Sequence, residues 1–239
     1  MREFERISCS HDGTILDAFI ARPDSGESPL PTVMMFHGGG GIGPTFQTVA
    51  RALADMGFLA IGVSMYERGA DLSTPEGQGK QYMGLRQHPE LLRSRVIEWF
   101  ETVRSLPDVD EDRMAAIGYC FGGQCVLELA RSGADVKTVV SYHGILPTHA
   151  PAQLGVVTAE VVAFCAGRDP FVPMDDFAAF QKEMIDGGVT HQITFFSDAQ
   201  HSFTDPDHEG AAPGIAYDPL YHRISWASTL ALLDYKLKG

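Results

Sequence analysis

With 239 residues, 44% of them hydrophobic and 21% charged, the chain has ordinary globular composition and length for one large α/β domain, expected over 1–239 without linker, repeat or low-complexity tract. Asp and Glu number 31 against 18 Lys and Arg, and the formal net charge of -13 weighs against nucleic acid and anionic membranes as partners. Cys9, Cys120, Cys125 and Cys165 show neither CxxC nor metal-ligand spacing, no stretch approaches about 18 apolar residues, and Met1 to Cys9 is charged where a signal peptide needs an apolar run. The expectation is a reduced, metal-free, soluble cytoplasmic protein.

Two short strand candidates open the chain, Phe4 to Cys9 and Thr14 to Ala21, around His11-Asp12-Gly13, which reads as a hairpin turn. The Pro, Ser and Gly content of Asp24 to Pro31 predicts a loop. Thr32 to Phe36 is a buried strand that runs into His37-Gly38-Gly39-Gly40-Gly41-Ile42-Gly43. Helical spacing follows from Phe46 to Met56, stopped by Gly57, and Phe58 to Met65 is another buried strand. From Tyr66 to Gly84 the run is polar, irregular and punctuated by glycine, so a loop over the top of the sheet is expected there. His88 to Leu106 is a long helix with Leu92, Val96, Trp99 and Val103 on one side.

Arg113 to Ile117 reads as a short buried strand and Val126 to Arg131 as the start of an apolar-faced helix, with Gly118-Tyr119-Cys120-Phe121-Gly122-Gly123-Gln124 between them. A nucleophile on such a turn is lifted out of the sheet onto a helix N-terminus, and the flanking glycines let strand and helix approach closely. The usual apex is serine; here it is a thiol, and helix-terminal N–H groups favour its ionised form. The structural alternative is a tight turn around a buried, inert cysteine.

Further on, Val136 to Tyr142 and Val156 to Ala166 contain β-branched strands, Asp175 to Ile185 is helical before Gly187-Gly188, Gln192 to Phe196 is one more strand, and Ile224 to Leu237 is a closing helix. Alternating strands and helices predict a mainly parallel sheet covered on both faces, with the chemistry beyond the carboxyl ends of its strands. At those ends stand Gly167-Arg168-Asp169-Pro170 and Ala199-Gln200-His201-Ser202-Phe203. The order Cys120, Asp169, His201 is that of nucleophile, acid and base in α/β-hydrolases: His201 would carry protons and Asp169 would hold its tautomer. Taken singly, Asp169 before Pro170 could initiate a turn, and His37, His143 and His191 also lie near strand ends or within strands.

The glycine run after Phe36 admits two readings. As an oxyanion loop it would offer the Gly39 amide, within one position, beside that of Phe121. As a dinucleotide loop, Gly38, Gly40 and Gly43 fit GxGxxG with Glu67 as ribose acid, making the protein an NAD-dependent oxidoreductase; Pro44 and the preceding hairpin suit that reading poorly. The Walker pattern fails, since no GK[ST] follows.

The motifs Gly118-Tyr119-Cys120-Phe121-Gly122-Gly123, Gly167-Arg168-Asp169-Pro170-Phe171-Val172-Pro173 and His201-Ser202-Phe203 resemble those of the dienelactone hydrolases, or carboxymethylenebutenolidases, cysteine members of the α/β-hydrolase fold. The resemblance implies a Cys120-His201-Asp169 triad, acyl-thioester chemistry, no cofactor and a compact domain. It also marks two departures. The family's lactone-opening enzymes place a glutamate after the first core strand, where this chain has Gly38, and an arginine shortly after the histidine, where it has Asp205. Arg86, Arg93 and Arg95 are the remaining candidates for a substrate-binding cation. The expected function is cofactor-free hydrolysis of neutral aryl or short-chain esters or lactones, with promiscuous phosphotriester hydrolysis, by a monomer or homodimer. Carboxymethylenebutenolidase activity proper and a non-catalytic small-ligand binder stand as alternatives.

Overall fold

The computed structural model describes residues 4–24, 26, 28–208 and 212–239. Strands β1 (Glu5–His11) and β2 (Thr14–Ala21) form an antiparallel hairpin in which His11 faces Thr14. Asp12 and Gly13 both take positive φ, as a two-residue turn matched to strand twist requires. Strands β3 (Leu30–Phe36), β4 (Leu59–Glu67), β5 (Val109–Tyr119), β6 (Thr138–Tyr142), β7 (Glu160–Ala166) and β8 (His191–Phe196) complete an eight-stranded sheet in the order β1-β2-β4-β3-β5-β6-β7-β8. From β4 across to β8 every pairing is parallel. This is the expected α/β-hydrolase architecture, a mainly parallel sheet with helices on both faces.

The strands divide their side chains by parity. Met34 and Phe36 of β3 face one core with Met114 and Ala116 of β5, while Val33 and Met35 face the other with Ala115 and Ile117. Helices α3 (Pro89–Arg104) and α4 (Phe121–Arg131) cover the first face with α5 (Met174–Asp186). Helices α1 (Pro44–Asp55) and α6 (Pro219–Lys238) cover the second through Phe46, Leu53, Leu233 and Leu237.

Several boundaries depart from the sequence expectation. Residues 66–84 are not a continuous loop: β4 runs on to Glu67, and Pro75–Arg86 forms a further helix, α2. Thr74 caps it, its side chain accepting the Gly77 N–H, and Pro75 and Glu76 suit its first turn. Gly77, Gly79 and Gly84 hide this helix from propensity, and with only Leu85 buried it has no apolar stripe for periodicity to detect. Helix α4 starts at Phe121 rather than Val126; all its residues are buried, so no polar face marks its first turn. The run from Val156 becomes strand only at Glu160, and the closing helix starts at Pro219, capped by Asp218. The loop expected over Asp24–Pro31 yields its last two residues to β3, and residues 25 and 27 lie outside the described residues.

Candidate active site

The carboxyl ends of β3, β5 and β7 and the segment following β8 meet at one edge of the sheet. Between β5 and α4, Cys120 adopts φ 54° and ψ -113°, a conformation L-residues avoid and that the surrounding packing imposes. A Cβ on Gly118 would lie 2.0 Å from the Gly122 oxygen, and one on Gly122 would lie 2.0 Å from the Phe36 oxygen. Only glycine permits so sharp a turn so close to β3, and the apex side chain is thereby raised at the start of α4.

His201 Nε2 lies 3.1 Å from Cys120 Sγ, and His201 Nδ1 lies 2.7 Å from Asp169 Oδ2. Asp169 is fixed in turn, its Oδ1 accepting the Phe171 N–H at 2.8 Å. Because a carboxylate accepts at Nδ1, the proton sits there and Nε2 faces the sulfur. The segment carrying His201 is held as an extended bridge: His201 donates its amide to the Gly214 carbonyl and accepts the Ala216 N–H. Phe171 and His143 both meet the His201 imidazole edge-on, at 4.8 and 5.0 Å between ring centres.

Burial by itself would push the Cys120 thiol up; the hydrogen bond and charge of His201, with the amides of Gly39 and Phe121, outweigh it and hold the thiol below its ordinary range. Burial likewise opposes charge on His201, and Asp169 and the thiolate overcome it, raising the imidazole to about 10. The arrangement is a thiolate–imidazolium pair with two backbone N–H groups on the sulfur, where a developing oxyanion can be held. Cys9, Cys125 and Cys165 are buried with thiols raised chiefly by desolvation.

The glycine loop is built to present the Gly39 amide. His37 is fully buried and its Nε2 accepts the Met65 N–H at 3.0 Å, so the ring proton is on Nδ1, which donates to the Gly38 carbonyl at 2.7 Å. That carbonyl also takes the Gly41 N–H, and the same peptide unit carries the Gly39 N–H toward Cys120. Desolvation keeps His37 neutral, with its pKa lowered to about 4. The Tyr66 hydroxyl donates to the Gly39 carbonyl. A Cβ on Gly38 would stand 3.7 Å from Cys120 Cβ, so this position directly borders Cys120. A Cβ on Gly40 would lie 3.7 Å from Gln78 Oε1, and one on Gly41 would lie 2.7 Å from Leu72 Cδ1.

The other candidates separate clearly. His191 Nδ1 pairs with the Val189 carbonyl. His143, at φ 38°, pairs through Nε2 with Thr204 Oγ1 and is kept neutral by burial and by His201. Arg93 is bound to Glu128 and the Ala150 carbonyl, and Arg95 to the Met65 carbonyl. Arg86 donates to the Tyr82 hydroxyl, and the Tyr82 ring meets Phe121 edge-on at 5.5 Å, which places α2 against the residue that follows Cys120. Asp205 closes the turn after His201 and directs its carboxylate to the Asp207 amide and to His208, 3.4 Å away, rather than to Cys120 or His201. Tyr82 and Tyr66 escaped the sequence reading because they lie in the run expected to be a loop. Gln124 carried a usable signal: it stands one helical turn after Cys120.

Among the described residues no group of His, Cys, Asp and Glu could hold a metal, and no helix is long and apolar enough to cross a membrane.

Comparison with known proteins agrees with this fold. The profile of the dienelactone hydrolase family matches residues 16–237. A putative carboxymethylenebutenolidase from Yersinia pestis is 24% identical over 230 residues, covering 89% of this chain and 79% of the relative. The solved structure called m3DLH superposes with a TM-score of 0.90 at 29% identity, covering 99% of each chain. The dienelactone hydrolase-like promiscuous phosphotriesterase P91, from metagenomic libraries, has a TM-score of 0.89 at 28% identity over 98% of each chain.

Proposed function

The chain belongs to the dienelactone hydrolase family, and from that premise we propose that it is a cofactor-independent Cys-His-Asp hydrolase of uncharged aryl and short-chain alkyl esters or lactones. The observation that carries the proposal is the continuous line from Cys120 Sγ through His201 to Asp169 Oδ2, with contacts of 3.1 and 2.7 Å. The Cys120 thiolate attacks the carbonyl carbon, and the electron pair displaced onto oxygen is held by the Gly39 and Phe121 amides. Collapse of this adduct expels the alkoxide, which takes the proton from His201 Nε2 and leaves an acyl-thioester on Cys120. Neutral His201 then draws a proton from water, whose oxygen attacks the thioester; the acid departs and thiolate and imidazolium are restored. Asp169 keeps the ring in the required tautomer throughout.

The preference for uncharged substrates rests on Asp205, which stands where the lactone-opening relatives have an arginine to pair a substrate carboxylate. Likeness to P91 supports a second activity on phosphotriesters, since attack at phosphorus also develops charge on an oxygen that the two amides can hold. The compartment proposed is the cytoplasm, in keeping with four free cysteines.

The test is ester hydrolysis by Cys120→Ala, with the fold monitored by circular dichroism. A loss on the order of 10³-fold or more is expected with an unchanged spectrum. Turnover near that of the wild type would overturn the mechanism. With an aryl phosphotriester the wild type should turn over repeatedly; a single burst followed by permanent inactivation would limit the activity to carboxylic esters.

A further inference from the structure

A cleft of about 270 Å³ is lined by Arg86, Leu92, Gln124, Glu128 and Ile145 with residues of the 147–149 loop; Arg86 joins it to the surroundings of Cys120 through Tyr82, whose ring would lie 3.9 Å from a Cβ on Gly39 and packs on Phe121. Gln124 is on the first turn of α4, where its backbone N–H donates to the Cys120 carbonyl at 3.3 Å. It is only 7% exposed, its Oε1 is buried without a partner, and among the described residues its amide nitrogen forms no hydrogen bond. An amide so enclosed is costly unless something completes it.

The wall facing Gln124 is deliberately held. The segment 143–152 has no regular secondary structure, yet charged side chains clamp its backbone at three points. Arg131 donates to the Leu146 carbonyl, Arg93 to the Ala150 carbonyl, and the Ala152 N–H donates to Glu183, each at 2.8 Å. Glu128 joins this network, its two oxygens taken by Arg93 and Arg131 at 2.7 and 2.9 Å. Although Glu128 borders the cleft, its charge is already matched. Arg86 is different: its guanidinium is bound to one neutral partner, the Tyr82 hydroxyl, and is available at the rim.

Position relative to His201 decides which part of an ester this cleft can take. The leaving group must lie at His201 Nε2, where Phe171 and His143 flank the ring. Neither borders the cleft, which is lined from α2, α4 and the 145–149 segment. The acyl group, directed away from His201, is the part of an ester left to face it.

Resting on the hydrolase reading above, we infer that this cleft is an acyl-recognition subsite for an uncharged acyl group bearing an amide or hydroxyl, with Gln124 as the residue that selects it. Whichever way its amide is turned, Gln124 presents one donor and one acceptor. The complementary ligand group has both: a carbonyl or hydroxyl oxygen to accept from Gln124 and Arg86, and an N–H or O–H to donate to Gln124. A plain alkyl chain leaves both edges of Gln124 unmet, and a carboxylate supplies no hydrogen for its oxygen.

The experiment compares three p-nitrophenyl esters, those of butyric acid, N-acetylglycine and succinic acid as the monoester, with kcat/KM divided by each ester's rate with hydroxide. For the wild type the N-acetylglycyl ester should exceed the butyrate by about tenfold. In Gln124→Leu that ratio should fall to near one, and in Arg86→Gln, a half-exposed site that tolerates change, it should fall severalfold. Hydrolysis without such a preference, a ratio unchanged in both variants, or the succinyl monoester as best substrate would overturn the subsite while leaving the hydrolase intact. Failure to hydrolyse all three would overturn both.

Discussion

His37 allows a quantitative test of how the glycine loop is held. The buried ring takes part in two hydrogen bonds as one neutral tautomer, and desolvation lowers its pKa to about 4 from an ordinary 6.5. A basic group depressed in the fold gives its full contribution above the unfolded value, and that contribution is lost as pH falls from 6.5 toward about 4, because the unfolded chain binds the proton first. Linkage over this interval gives a loss of about 2 kcal/mol between pH 7 and pH 5, and of about 3 kcal/mol by pH 4. The assay is urea unfolding of the wild type and His37→Asn at both ends of the pH interval. Asparagine keeps a donor for the Gly38 carbonyl and loses the acceptor for the Met65 N–H, so the variant should be weaker by about 1–3 kcal/mol at pH 7. Its acid loss should be smaller than that of the wild type by the His37 contribution. His143 is also buried and neutral, but it titrates in both proteins and cancels in the difference. Equal acid losses in the two proteins would refute the assignment of His37 as a neutral strut.

Two further outcomes are expected. Iodoacetamide should modify Cys120 selectively and rapidly well below pH 9, since the other three thiols are buried and raised; in His201→Ala burial prevails, the thiol rises, and modification at pH 7 should slow by about 10²-fold, so an unchanged rate would break the ion-pair model. Asp205→Arg should improve kcat/KM for a carboxylated dienelactone relative to a neutral aryl ester by roughly fivefold, the effect of reversing a charge in partly solvated surroundings; a wild type that already prefers the carboxylated lactone would contradict the neutral-substrate reading.

Sequence by itself determined the periodic and local features. Apolar runs such as Thr32 to Phe36 mark strands buried on both faces, His11-Asp12-Gly13 marks a hairpin, and the spacing of Leu92, Val96, Trp99 and Val103 marks α3, because each signal is local in the chain. The glycines around Cys120 were legible for the same reason, since a tight turn between strand and helix is specified within a few residues. Helix α2 was not legible, with three glycines and a single buried side chain, nor was the first turn of α4, whose residues are buried on every side.

What only the tertiary structure decided is distance. His143 and His201 both follow strands, and no spacing tells which reaches the thiol; the order of β5, β6, β7 and β8 in the sheet brings His201 to Sγ across 81 residues and turns His143 toward Thr204. It also determined that Arg93 and Arg95 are engaged elsewhere, that Arg86 stands over the cleft, and that Gln124 is enclosed without a partner. Such facts depend on which faces the sheet brings together, and a side chain's partners across a packed interface leave no periodic trace in the chain that carries it.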